Sequence, residues 1–172
     1  SRLLHSAGVR TALLLASTFA AGSTTSHAQR ILVADPTGPN GVRSYDIHGT
    51  LINASLIPGS TFEGLALAGS TLYVANPQAG VSGGDNSNNG KVGKYVLNTA
   101  GGVTSSNALF LAFSFSYSPW GLAVTPTNIF VTTNTNVIKY NLSGTELSVM
   151  GVGATNPYGV AVAGEERWTH KI

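Results

Sequence analysis

One short pattern recurs along this chain: Phe62-Glu63-Gly64-Leu65-Ala66-Leu67, Pro119-Trp120-Gly121-Leu122-Ala123-Val124 and Pro157-Tyr158-Gly159-Val160-Ala161-Val162. An internal repeat constrains a fold strongly, because each copy must form the same unit and bury its apolar face against a neighbouring copy. Further elements keep step with it. Nine residues after Gly64 comes Tyr73 in Leu72-Tyr73-Val74-Ala75, and nine after Gly121 comes Phe130 in Ile129-Phe130-Val131-Thr132. An earlier copy of that element is Ile31-Leu32-Val33-Ala34. A third element ends in tyrosine: Val42-Arg43-Ser44-Tyr45, Val92-Gly93-Lys94-Tyr95 and Val137-Ile138-Lys139-Tyr140. The step from Tyr45 to Phe62 and the step from Tyr140 to Pro157 are both 17 residues.

Each element alternates over a few residues and is rich in Val, Ile, Tyr, Phe and Thr, which is strand chemistry. The breaks hold Gly, Asn, Pro and Ser, the residues that tight turns require. A Gly-containing turn follows each tyrosine element and leads to a fourth, weaker strand, expected at 50–57, 108–115 and 145–149. No stretch after Ala28 carries helical periodicity. The sequence therefore predicts an all-β chain of four-stranded antiparallel units of roughly 40 residues, the size of one β-propeller blade.

The first 28 residues read as an address. Arg2 and Arg10 precede an apolar run over 11–21, and small residues at Ser26 and Ala28 stand just before Gln29. That order is the pattern of a secretory signal peptide. The run is too short to cross a bilayer of about 30 Å as a helix. The mature chain is expected to begin near Ala28-Gln29 and to be secreted, periplasmic or part of the cell envelope. Removing the leader also removes the excess charge: its two arginines account for the formal net charge of +2, and the remaining seven basic residues match the seven acidic ones. A surface that neutralises nucleic-acid phosphates is excluded on that balance. The absence of cysteine excludes a disulfide framework and a thiolate site. No later apolar segment has the length of a membrane span.

The repeats resemble NHL-type blades, the units of secreted bacterial propellers, of streptogramin lyase and of the gluconolactonase-like family. Pro119-Trp120-Gly121-Leu122-Ala123-Val124, Asn128-Ile129-Phe130-Val131 and Val137-Ile138-Lys139-Tyr140 carry the resemblance, and 157–162 repeats its first part. It covers about 31–164. The motifs specify an architecture more than an activity, and the glycine is expected to permit a close backbone approach. The strands count to twelve, 158–163 being the last, or about three blades over 29–164, whereas propellers typically close with four to eight. The segment 165–172, opening Glu165-Glu166-Arg167, departs from the repeat. The expectation is an incomplete propeller, a fragment with an atypical tail. Two alternatives stay open: a genuine polar tail, and self-association of several chains into one ring.

Chemistry-bearing residues are sparse. Asp35, Asn76 and Thr133 occupy matching strand-end positions and together line one mouth of an expected channel, a place for a ligand. Pro36 and Pro77 follow the first two, so turn formation is the competing reading. Glu63 stands where the other repeats carry Trp120 and Tyr158. The gluconolactonase-like resemblance implies a divalent cation, such as calcium, bound by an acid at this position; by itself Glu63 reads as an ordinary polar strand-end residue, and no cofactor is otherwise expected. The insertion between Tyr73 and Tyr95 contains Asp85, Ser87, Asn89 and Gly90, which echo a calcium loop. Such a loop closes with a bidentate Glu; Val96 is there instead, so a plain hairpin loop is expected. His48, beside Asp46, reads as an exposed turn residue. No catalytic set of paired carboxylates, or of histidine with an orienting partner, emerges. The sequence thus favours a secreted, non-catalytic module for binding or envelope scaffolding, with an unknown extracytoplasmic ligand or protein as partner. The alternative is the N-terminal part of a propeller enzyme, lactone hydrolase-like or lyase-like.

Overall fold

The alternating elements fold as strands because alternation gives each strand two faces that can be packed independently. The computed structural model describes residues 29–77, 90–114 and 117–163. The expected leader (1–28), most of the insertion core (79–89) and the tail (165–172) lie outside these residues.

Eleven strands are present among the described residues, and no helix. In chain order they are β1 (Arg30–Ala34), β2 (Val42–Asp46), β3 (Leu51–Ile57), β4 (Leu65–Ala68), β5 (Thr71–Asn76) and β6 (Lys91–Leu97). There follow β7 (Val103–Ala112), β8 (Leu122–Val124), β9 (Asn128–Thr132), β10 (Asn136–Asn141) and β11 (Glu146–Gly151). They form three antiparallel sheets in simple chain order: β1-β2-β3, β4-β5-β6-β7 and β8-β9-β10-β11. The sheets are blade-like and do not close into a ring.

β5 shows how the sheets stack. Leu72 and Val74 point into one apolar cluster with Val42, Leu56, Ile57 and Phe62 of the first sheet and its following loop. Tyr73 and Ala75 point the opposite way, into a second cluster with Leu122, Ile129, Val131, Ile138 and Tyr140 of the third sheet. A strand buried on both faces reads as a nearly continuous apolar run, and Leu72-Tyr73-Val74-Ala75 is one. The middle sheet is therefore sandwiched between the other two, and the two clusters are the core.

Three equivalent turns join the last two strands of each sheet. Asp46, Asn98 and Asn141 each take the first position, and the residue three places on is a glycine with positive φ: Gly49 (86°), Gly101 (77°) and Gly144 (90°). In each, the first residue's carbonyl accepts the glycine N–H at 3.1, 2.8 and 3.1 Å respectively. Its side-chain oxygen also accepts a backbone N–H from the residue after that glycine, at 2.8 Å in all three. Only a residue that tolerates φ > 0 fits the fourth position, which is why glycine recurs there.

Two expectations are corrected. β7 begins at Val103 rather than near 108, because its first half is polar and exposed and carries no apolar alternation for a sequence reading to detect. The strand expected at 158–163 does not form. Among the described residues no strand pairs with it; the loop before it is fastened to the third sheet, with the Asn156 N–H donating to the Asn134 carbonyl at 2.7 Å.

Candidate functional site

The residues just before β4 and β8 oppose the end of the next strand in the same unusual way. The Glu63 N–H donates to the Ala75 carbonyl at 3.0 Å while the Ala75 N–H donates to Gly64, at 2.8 Å. In the third sheet the Trp120 N–H donates to Thr132 at 2.9 Å and Thr132 donates to Gly121 at 3.0 Å. Two residues thus face one, as at a β-bulge, a device that re-aims a side chain at a sheet end. The Thr132 hydroxyl, fully buried, adds an acceptor for the Gly121 N–H at 2.7 Å. The bulged slot holds Glu63 in one sheet and Trp120 in the next. Tyr158 occupies the equivalent sequence position, and its ring stands edge-on to Trp120 at a centroid distance of 5.1 Å.

At this end of the sheets lie the three strand-end residues singled out in the sequence. Asp35 follows β1. Its Oδ1 accepts the backbone N–H groups of Thr37 (3.1 Å) and Gly38 (2.9 Å), and its Oδ2 accepts from the Arg43 guanidinium at 2.7 Å. The backbone bond from Gly38, then that from Thr37, hold its pKa below the ordinary aspartate value, with the Thr37 hydroxyl and the Arg43 charge assisting. Asn76 ends β5 and is buried; its Nδ2 donates to the Ser60 carbonyl at 3.2 Å. Its Oδ1 accepts the Thr61 hydroxyl at 2.9 Å. Thr133 follows β9, is fully buried, and donates its hydroxyl to the Asn136 carbonyl at 3.3 Å.

Thr61 was not legible as a site residue. It is β-branched yet sits at φ 62°, a conformation that costs a non-glycine side chain energy unless its surroundings enforce it. Its N–H donates to the Pro36 carbonyl at 3.2 Å. Thr61 therefore ties the Asp35 turn to Asn76, so the structure links two of the three sequence candidates through one strained residue. Thr133 belongs to the next sheet, where the neighbouring Asn134 accepts the Trp120 indole N–H at 3.2 Å. Arg43 was also missed as a partner for Asp35, since seven intervening residues separate strand end from strand middle with no local pattern.

Chemically this end of the molecule is a set of braced loops with one exposed acid, Glu63, and an aromatic pair. Asp35, charged at neutral pH and already bonded on both oxygens, is not poised to move protons. His48 lies elsewhere, in the β2–β3 turn, where its N–H donates to Asp46 Oδ1 at 2.8 Å. Among the described residues no group of three or more His, Asp or Glu is placed to hold a metal ion. A divalent cation needs several oxygen ligands; of the carboxylates at this end, Glu63 is exposed and Asp35 is bonded to Thr37, Gly38 and Arg43. A cavity of about 430 Å³ opens at the opposite end of the sheets, lined by Arg30, Leu32, Leu67, Ser70, Leu97 and Asn98 among others. It does not include Asp35, Asn76, Thr133 or Glu63. Among the described residues, no helix is long and apolar enough to cross a membrane.

No family model matches the chain, and no curated protein matches it.

Proposed function

We propose that this chain is a non-catalytic, repeat-built interaction module of the extracytoplasmic space, used for binding or for envelope scaffolding. The observation that carries the reading is how the polar side chains at the sheet ends are engaged. Asp35, Asn76, Thr61 and Thr133 brace loops through the bonds given above, whereas several large apolar side chains face solvent, among them Tyr158 at 65% and Leu109 at 63% exposed. Exposed apolar groups that gather on one face mark an interaction surface, and Ile31 and Val33 share one face of β1, 46% and 41% exposed. The resemblance to NHL-type blades and the signal-peptide pattern support the same reading.

Two measurements test it. Amino-terminal sequencing of the product from its source should begin at Gln29 and recover it outside the cytoplasm. Assays with aldonolactones, with and without calcium, manganese or zinc, should show no rate above buffer, for the wild type and for Glu63→Gln alike. A metal-dependent rate abolished by Glu63→Gln overturns the reading in favour of a propeller enzyme.

A further inference from the structure

The two ends of the stack are the two halves of an interface that the molecule already makes twice. On β5, Leu72 and Val74 face the preceding sheet and are each 1% exposed; on β9 the matching Ile129 and Val131 face the preceding sheet and are fully buried. On β1 the matching residues are Ile31 and Val33, 46% and 41% exposed, and among the described residues no preceding sheet covers them. At the other end Phe130 matches Tyr73, which is buried against the following sheet, yet Phe130 itself is only half-buried.

The strands are unbalanced in the same sense. The second and third sheets each have a short inner strand, β4 on β5 and β8 on β9; among the described residues the first sheet has none, and the edge of β1 has no strand paired to it. The fourth copy of the elements in question, at 158–162, has the inner-strand sequence but, among the described residues, no strand paired to it. It cannot serve its own β1, because it is held against the far side of the third sheet. A β-carbon on Gly121 would stand 2.5 Å from the Tyr158 carbonyl oxygen and 3.1 Å from the Gly159 Cα.

We propose that a second copy of this chain supplies what each copy lacks: residues 158–162 of one add as the inner strand on β1 of the other, and reciprocally. The register follows from Leu122↔Val131, Ala123↔Phe130 and Val124↔Ile129. It sets Val160 opposite Val33, Ala161 opposite Leu32 and Val162 opposite Ile31, with the Tyr158 N–H donating to the Ala34 carbonyl. Gly159 then meets Glu63 and Gly64 of the second copy, as Gly64 meets Trp120 and Gly121 within one chain. Two copies bring six sheets, inside the typical range of four to eight that closes a propeller; three copies would bring nine. Head-to-tail contacts that close give a finite assembly rather than a fibre. The inference deepens the interaction-module reading by naming a partner, and the two fail separately: lactone turnover would overturn that reading and leave the assembly as it stands.

Sedimentation velocity on the 172-residue chain, from low to high micromolar, tests the proposal. The expected species is a dimer of twice the 17.6 kDa chain mass. Gly159→Ala, whose added carbon meets nothing within 4 Å in one chain, should raise the dissociation constant by about tenfold or more. Ile31→Lys with Val33→Lys should do the same from the other end, and Ala161→Pro gives a second reading of the strand edge. Far-UV circular dichroism checks that each variant keeps its β signal. Mixing the Gly159→Ala chain with the Ile31→Lys/Val33→Lys chain pairs an intact 158–162 strand with an intact β1 edge, so a dimer should return. A monomer at every concentration, or an oligomer indifferent to all these substitutions, overturns the proposal.

Discussion

A β-carbon on Gly64 would overlap the carbonyl oxygen of Trp120 and stand 3.1 Å from the Gly121 Cα. This contact is backbone against backbone, across two sheets, so neither side can yield by changing a rotamer. Gly121 repeats it against Tyr158 and Gly159. The recurring glycine is thus the point where successive inner elements touch. Gly64→Ala and Gly121→Ala are each expected to destabilise the fold by about 1–3 kcal/mol, the range for overpacking. Gly159→Ala should have almost no effect in the dilute monomer. Urea denaturation of the three variants reads the difference directly.

An acid limb is expected in the stability profile, and the β2–β3 turn contributes to it. The Thr50 N–H bonded to Asp46 holds that carboxyl below its ordinary pKa, with His48 and Gly49 assisting. A lowered folded pKa means that the unfolded chain takes up the proton first. The contribution is therefore complete above about pH 4 and is lost as pH falls through the folded value. Asp35 acts in the same direction. Asn98 and Asn141 make the equivalent turn without a charge, so Asp46→Asn should keep the turn and flatten the decline in Tm between pH 4 and pH 2. A steeper acid limb in the variant would contradict this assignment.

At high pH the relevant group is Tyr140. Burial pushes its hydroxyl up to about 12, and the nearby Glu146 carboxylate adds to the effect. Here the unfolded chain loses the proton first. The stabilisation is complete below about pH 10 and disappears as pH rises toward about 12. Spectrophotometric titration should show a tyrosine that ionises only in this late window. Tyr140→Phe should remove that late step and displace alkaline unfolding to higher pH.

How much was legible follows from where side chains are buried. β4, β5, β8 and β9 were readable because their alternation has apolar clusters on one or both faces, and the turn at 46–50 because Asp and Gly occupy positions that only such residues fill. The beginning of β7 was invisible, since Thr104, Ser105 and Ser106 are exposed and it pairs to β6 through its backbone and one hydroxyl, Thr104 Oγ1 donating to the Val96 carbonyl at 3.1 Å. The inner strand at 158–163 had the right residues and lacked a partner, and a strand is a property of two segments. The link Asp35–Thr61–Asn76 was hidden for another reason: a threonine at positive φ is enforced by tertiary contacts, which no local pattern announces.

The difference between inner and end faces gives the last prediction. Leu72 and Ile31 occupy the same repeat position, facing the preceding sheet, but Leu72 is enclosed and Ile31 is half in water. Leu72→Ala should cost about 2–5 kcal/mol, the transfer of the lost carbons together with the cavity left between two sheets. Ile31→Ala removes a similar volume where solvent can fill the space, so in the dilute monomer it should cost less than about 1 kcal/mol. Chemical denaturation at low protein concentration compares them. Repeating it at high concentration adds a second contrast: if a second copy covers β1, the cost of Ile31→Ala must grow with concentration while that of Leu72→Ala stays constant, because only one of the two faces is completed by association.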